Sequence, residues 1–257
     1  MVGFTLENVG LQIPIYGASS HSLRARIARP LVGGKIQRGD FNIVVAQALE
    51  DISCNISPGD RLGLIGHNGA GKSTLLWVLA GVYEPTQGSI LRRGRIVTLF
   101  ELSQGMLDEA SGIENIYARG ALLGLSERDM RPRVEEILAF AELEEYADLP
   151  LRTYSSGMRL RLAFSICTSV EAEIALLDEV VGAGDERFVE KAQARLRDFV
   201  QRAGIVVIAT HGLEMIHSMC TRAIVLRQGK MMFDGDVEAA IEKYHAYSTA
   251  QGAPGIT

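Results

Sequence analysis

The chain has 257 residues, 47% of them hydrophobic, which is enough for one large α/β domain or two small ones around a sizeable core. With 31 Asp and Glu against 26 Lys and Arg the formal net charge is -5, which argues against a broad basic face for nucleic acid. The three cysteines, Cys54, Cys167 and Cys220, lie far apart among apolar neighbours and read as small core residues of a reducing compartment, not as disulfides or metal ligands.

No apolar run reaches about 18 residues, so no transmembrane helix is expected. The start Met1-Val2-Gly3-Phe4 has no basic region leading into an apolar stretch, so no signal peptide is expected either. Residues Phe4 to Ile15 alternate apolar and polar, with a strand predicted over Phe4–Val9. The segment Ser19–Arg38 follows, with Arg24, Arg26, Arg29, Lys35 and Arg38 and not one carboxylate. Leu23, Ile27 and Leu31 fall four apart behind Ser20 or Ser22 as N-cap, which predicts a short basic amphipathic helix ending near Pro30. Two readings of it stand: a solvated surface helix, or a helix lying at an anionic membrane surface or against a membrane partner. Gly33 to Asn42 reads as a loop. Ile43–Val45 and Leu49–Ile56 read as strands, and Ser57-Pro58-Gly59-Asp60 as a tight turn.

Arg61–Ile65 reads as a buried strand, Thr74–Ala80 as a helix that stops at Gly81, and between them stands Gly66-His67-Asn68-Gly69-Ala70-Gly71-Lys72-Ser73. This fits G-x-x-x-x-G-K-[ST], the phosphate-binding loop. Its glycines let the main chain wrap an anion, the helix start adds about half a positive charge, Lys72 reaches the outer phosphates and Ser73 offers a hydroxyl to Mg²⁺. Tyr83–Ser89 is a turn, and Ile90-Leu91 and Arg95–Phe100 are short strands.

The middle of the chain, about 102–170, reads as an all-helical insertion. Ile113–Leu123 is one helix. A second starts at Ser126 with a capping box closed by Asp129, tolerates Pro132 near its start and stripes through Val134, Ile137, Leu138 and Ala141. Ser155–Val170 is a third. Ile174–Asp178 is a buried strand ending in acid, Phe188, Ala192, Leu196 and Phe199 stripe a helix, and Ile205–Ala209 is an apolar strand ending at Thr210-His211. Leu213–Cys220 is a short helix, Ala223–Leu226 a strand, Gln228-Gly229-Lys230 a hairpin turn and Val237–Tyr247 the last helix, before a polar tail over 248–257 expected to fray. Strands alternating with helices predict a mainly parallel sheet covered on both faces.

In such sheets ligands sit beyond the carboxyl ends of the strands. Three strands end in chemistry: Gly66 after Ile65, Asp178-Glu179 after Leu177, and His211 after Ala209. Asp178 suits Mg²⁺, Glu179 can accept a proton from an attacking water, and His211 can donate to a terminal phosphate.

With these residues in place the chain resembles the nucleotide-binding domain of ABC transporters, over about residues 4–247. Gly66–Ser73 matches Walker A, Ile174–Asp178 with Glu179 matches Walker B and the catalytic glutamate, and His211 matches the switch histidine. Tyr154-Ser155-Ser156-Gly157-Met158 stands where the family has its Leu-Ser-Gly-Gly-Gln signature, and Asp185 stands at the D-loop aspartate. The resemblance implies an α/β P-loop NTPase fold with a mixed sheet, an antiparallel part and an inserted helical subdomain, and an ATPase using ATP and Mg²⁺. The nucleotide contacts it implies run from Gly66 through Thr74, with Ser155, Ser156 and Gly157 from a second copy in a homodimer. It also implies a separate transmembrane permease, two copies of it, and a place on the cytoplasmic side of the inner membrane.

Departures narrow the subfamily. Ser156 and Met158 replace a glycine and a glutamine, and the D-loop reads Val180-Val181-Gly182-Ala183-Gly184-Asp185. Glu101 stands at the Q-loop position, where the family contacts Mg²⁺, with Gln104 three residues on. These forms, with Gly112-Ile113-Glu114-Asn115-Ile116 and the basic segment, resemble exporters of polysaccharides, O-antigens and teichoic acids, so a lipid-linked glycan is the implied cargo. A C-terminal carbohydrate-binding domain, found in some members, is not expected here. The adenine-stacking aromatic is Tyr16 as first choice and Phe41 as second.

Overall fold

We describe residues 1–15, 35–38, 44–100, 102–178 and 186–249 of a computed structural model of the chain. The elements in chain order are β1 (Gly3–Ile15), β2 (Lys35–Arg38), β3 (Val44–Ile56), β4 (Arg61–Ile65), α1 (Lys72–Leu79), β5 (Gln87–Arg93), β6 (Ile96–Thr98), α2 (Gly112–Leu122), α3 (Glu127–Met130), α4 (Val134–Ala141), α5 (Ser156–Ser169), β7 (Ile174–Asp178), α6 (Glu186–Arg202), β8 (Ile205–Ala209), α7 (Leu213–Met219), β9 (Arg222–Arg227), β10 (Lys230–Asp236) and α8 (Val237–Thr249). They fall into two compact units. One comprises Met1–Gly94 with Ile205–Thr257, the other Arg95–Gly204.

The first unit holds an antiparallel sheet in the order β2-β3-β1-β5. β1 is twice the predicted length because its alternation changes phase midway. Phe4 and Leu6 are buried, then Val9 and Leu11, so the inward set moves from even to odd positions. The change sits at a register shift between Leu6 and Val9, where Asn8 adopts φ 49°. The Asn8 side chain donates to Asp51 Oδ1 at 2.7 Å and its backbone N–H to Ser53 Oγ at 2.8 Å, which ties the bulge to β3.

Two further expectations change here. Lys35–Arg38, read as loop, is a strand paired with residues 44–47 of β3. The two runs read as separate strands, Ile43–Val45 and Leu49–Ile56, are one strand carried through Ala46, Gln47 and Ala48. Those three residues are poor strand formers but all buried, and Gln47 is satisfied by Gln12 Nε2 at 3.0 Å and the Leu49 carbonyl at 2.6 Å. The predicted helix within Ser19–Arg38 lies outside the described residues.

The same unit carries β10-β9-β4-β8, in which β4 runs parallel to both β8 and β9, and β9 turns antiparallel into β10. Gln228 and Gly229 both have positive φ, 50° and 79°, as a two-residue hairpin turn demands. Leu62, Leu64, Val207, Ile208 and Ile224 are all buried, which is why these strands read as continuous apolar runs. Strand–helix alternation therefore describes this sheet, and the long antiparallel sheet lies outside that pattern. Arg222 clamps Asp234 through two bonds of 2.7 and 2.6 Å, and reaches Asp60 at 3.1 Å and the Asn55 carbonyl at 2.8 Å.

In the second unit β6 runs parallel to β7, and among the described residues five α-helices account for most of the rest. Ser126 and Asp129 form the predicted capping box. The single helix expected after it is broken into α3, a 3-10 turn over Arg131–Arg133, and α4. Pro132 is the cause: it has no N–H to continue the ladder and its ring crowds the preceding turn. Of the predicted stripe Ile137, Leu138 and Ala141 are buried and Val134 is half-buried, while Met130 of α3, outside the prediction, is buried as well. Phe188, Ala192, Leu196 and Phe199 of α6 are buried as their spacing predicts.

Asn115 of α2 is fully buried and organises the loop that precedes its own helix. Its Oδ1 accepts from Leu107 N–H at 2.7 Å, and its Nδ2 donates to the carbonyls of Leu107, Ala110 and Ser111 at 2.9 to 3.2 Å. Asn115→Ala should lower unfolding stability by on the order of 3 kcal/mol, because several buried backbone groups lose their partner together. A shift of the urea midpoint to lower concentration measures it; an unmoved midpoint would show that water replaces the amide. The cysteines are free thiols, and burial pushes Cys54 up to about 11 and Cys220 up to about 12.

Candidate functional site

The strand–loop–helix read at 61–80 is built as expected. β4 ends at Ile65, α1 starts at Lys72, and the loop between them uses its glycines for two different reasons. Gly69 and Gly71 have φ of 75° and 109°, the left-handed region that side chains disfavour. At Gly66 a Cβ would lie 2.5 Å from the Leu226 carbonyl oxygen and 2.8 Å from Ala70 Cβ, so the backbone there is pressed against β9. Ala70 N–H donates to the His67 carbonyl at 3.0 Å, and Gly229 N–H donates to the Ala70 carbonyl at 2.9 Å.

Lys72 is 6% exposed, and its Nζ donates to the carbonyls of Gly66 at 2.7 Å and His67 at 3.3 Å. The ammonium thus closes the loop on itself and stands at its centre. α1 has no side-chain cap and no acidic residue in its first turn, so none of its own carboxylates neutralises the positive helix start. Ser73 is exposed beside it, Thr74 is half-buried, and His67 and Asn68 are exposed on the loop. This cradle suits an anion.

β8 is hydrogen-bonded parallel to β4 with Leu64 opposite Ala209. Gly66 and His211 therefore leave the carboxyl ends of adjacent strands at the same edge, where α/β sheets bind ligands. Thr210, almost buried, holds this exit by accepting from Gly212 N–H at 3.1 Å. His211 itself is exposed.

In the second unit Asp178 closes β7 and is half-buried after four buried residues. Ser155 is the N-cap of α5, its Oγ accepting from Met158 N–H at 3.2 Å. Its position follows from Tyr154, which is buried and donates its hydroxyl to the Tyr146 carbonyl at 2.7 Å. Gly112 makes room for that hydroxyl: a Cβ there would come within 2.4 Å of it. Ser155 and Ser156 are exposed, Gly157 half-buried, and α5 has no acidic residue in its first turn, so this helix start is a second anion-compatible end.

The Gly112–Ile116 motif, given no role by its sequence, thus supports the signature segment. Arg159 adds a bond to Asp108 Oδ1 at 2.5 Å, and Arg119 reaches the Gln104 carbonyl and Cys167 Sγ, the latter at 3.3 Å. No sequence pattern marked Asn115 or Arg119 as loop anchors, since their partners are backbone carbonyls that carry no residue signal. Glu101, Glu179, Asp185, Tyr16 and Phe41 lie outside the described residues. Among the described residues no group of three or more His, Cys, Asp or Glu could hold a metal, and no helix is long and apolar enough to cross a membrane.

Residues 49–182 match a protein-family model described as ABC transporter. The chain is 44% identical over 229 residues to the O-antigen export system ATP-binding protein RfbE of Yersinia enterocolitica, covering 89% of this chain and 96% of that protein. The chain belongs to the ABC transporter family.

As an ABC transporter chain it is an ATP-binding, ATP-hydrolysing protein with the ABC ATPase fold. It is also 34% identical over 200 residues to the teichoic acids export ATP-binding protein TagH of Bacillus cereus, covering 78% of this chain but 36% of that protein. A dimeric post-hydrolysis structure of the ATP-binding cassette MJ0796 with ADP and Pi superposes at TM-score 0.65 and 21% identity, over 91% of this chain and 98% of that one. That likeness shows the fold, which joins an antiparallel sheet to parallel strands as the resemblance implied.

Proposed function

We propose that this ABC ATPase powers export of a lipid-linked polysaccharide, O-antigen first, across the inner membrane through a separate permease. The observation that carries the reading is the 44% identity to an O-antigen export protein of which this chain covers 96%. The similarity to a teichoic acid exporter keeps that cargo as the second reading, weakened because it extends over 36% of that relative. The subunit would work as a homodimer on two permease copies, held peripherally at the cytoplasmic face. Its formal charge of -5 gives no reason to add a nucleic-acid partner.

The residues divide into cis and trans roles. Lys72 and the loop from Gly66 to Thr74 bind the phosphates, Glu179 takes the proton of the attacking water, and His211 donates to the γ-phosphate and orients that water. When bound, Mg²⁺ would neutralise phosphate charge; the residues that would hold it are hard oxygen donors, the Ser73 hydroxyl and the Asp178 carboxylate, with Glu101 or Gln104 as third. Ser155, Ser156 and Gly157 close on the γ-phosphate bound by the partner subunit, Asp185 lies in the D-loop, and Tyr16 or Phe41 stacks on adenine. The intact phosphate cradle and the capped, acid-free start of α5 support this division.

Deleting the gene in its native host tests the cargo. Surface polysaccharide should disappear while its lipid-linked form accumulates inside the inner membrane, and only chains that hydrolyse ATP should restore export. Unchanged surface polysaccharide would remove the glycan reading.

A further inference from the structure

The last helix, α8, is not part of the phosphate loop in sequence, yet it reaches it. Its inward stripe is Val237 and Ala240, both buried, then Ile241, Tyr244 and Tyr247, which are half-buried, at the i, i+3, i+4, i+7 spacing of a packed helix. Tyr244 lies toward the far end of that stripe. There its ring meets the imidazole of His67 with centroids 5.2 Å apart and planes inclined by 43°, within the range of an aromatic contact.

His67 is the second residue of the phosphate loop, and its carbonyl has two partners that matter. It accepts from Lys72 Nζ at 3.3 Å and from Ala70 N–H at 3.0 Å. Fixing the imidazole fixes the peptide that carries this carbonyl, and with it the position of the Lys72 ammonium. The other end of α8 is anchored as well: Glu238 Oε1 pairs with His217 Nε2 at 2.7 Å, on the helix α7 that begins two residues after His211. One helix thereby touches the loop leaving β4 and the helix following the residue that leaves β8.

We propose that Tyr244 is a positioning residue for the nucleotide site, bracing His67 so that Lys72 and the loop amides are set for phosphate before ATP arrives. Pre-setting the loop lowers the ordering cost of binding, so the effect falls on nucleotide affinity.

The test uses the full chain with MANT-ADP and Mg²⁺ for affinity, phosphate release for KM and kcat, and thermal unfolding alongside. Tyr244→Leu keeps apolar bulk on the stripe while removing the ring, and should weaken MANT-ADP binding about 2- to 10-fold, with KM for ATP rising in parallel, kcat moving less and Tm held. Tyr244→Phe keeps the ring and should bind like the parent chain. His67→Ala should weaken binding to the same degree, and adding Tyr244→Leu to it should cost nothing more, because the two act as one unit. Parent-like affinity in Tyr244→Leu or in His67→Ala would overturn the proposal. So would a double variant whose loss is the product of the two single losses.

Discussion

Glu179→Gln is expected to bind ATP, assemble as a dimer and lose turnover by on the order of 10²- to 10⁴-fold, the usual contribution of a positioned general base. Sequence order at the end of β7 gives Glu179 this role. Four buried residues lead to Asp178 at the strand's carboxyl end, and Glu179 is next in sequence. The amide keeps the size and hydrogen-bonding reach of the carboxylate but cannot take a proton from water. Binding groups in the phosphate loop are untouched, so the block falls after binding. ATP-dependent change in particle mass, followed by light scattering, should persist in the variant while phosphate release stops. Undiminished turnover would remove Glu179 from the mechanism.

Lys72→Ala is expected to fail one step earlier. The ammonium makes charge-assisted bonds, which contribute more than neutral ones, and here it also holds the Gly66 and His67 carbonyls together at 2.7 and 3.3 Å. Removing it takes away a phosphate partner and the brace of the loop at once. Affinity for ATP should fall about 100-fold, the loss of roughly 3 kcal/mol expected for a hydrogen-bonded charge, and turnover should fall below detection. Calorimetric titration with MgATP measures this directly. Parent-like affinity would mean that the loop amides and the start of α1 hold the phosphates unaided. The two variants also separate the steps: one retains the nucleotide without hydrolysing it, the other never gains it.

The features legible in the sequence are those encoded locally. The phosphate loop carries its own strand, glycines and helix start within twenty residues, and Ser126 shows as a cap because capping is a contact over three residues. Of the three strand ends read as carrying chemistry, those of Gly66 and His211 are neighbours, as the pairing of β4 with β8 shows. What escaped depends on partners far along the chain. The second half of β1 was hidden by the phase change at Asn8, β2 by having only Ile36 as an apolar signal, and the middle of β3 by the weak strand preference of Ala46, Gln47 and Ala48. The break at Pro132 was visible as a residue, but its severity was decided by the lost helix bond rather than by the surviving apolar stripe. Tyr244 gave no signal because its meaning lies in His67, more than 170 residues earlier.

The central claim is that ATP is enclosed between two copies of this chain, the phosphate loop from one and the Ser155 end of α5 from the other. A structure of the ATP-bound Glu179→Gln protein tests it most directly. The expected result is a twofold dimer with the Ser155 hydroxyl within hydrogen-bond distance, about 3 Å, of the γ-phosphate held by the partner's Lys72. A single copy with ATP on Lys72 and no Ser155 near any nucleotide, from a parent chain that hydrolyses ATP as a monomer, would contradict it.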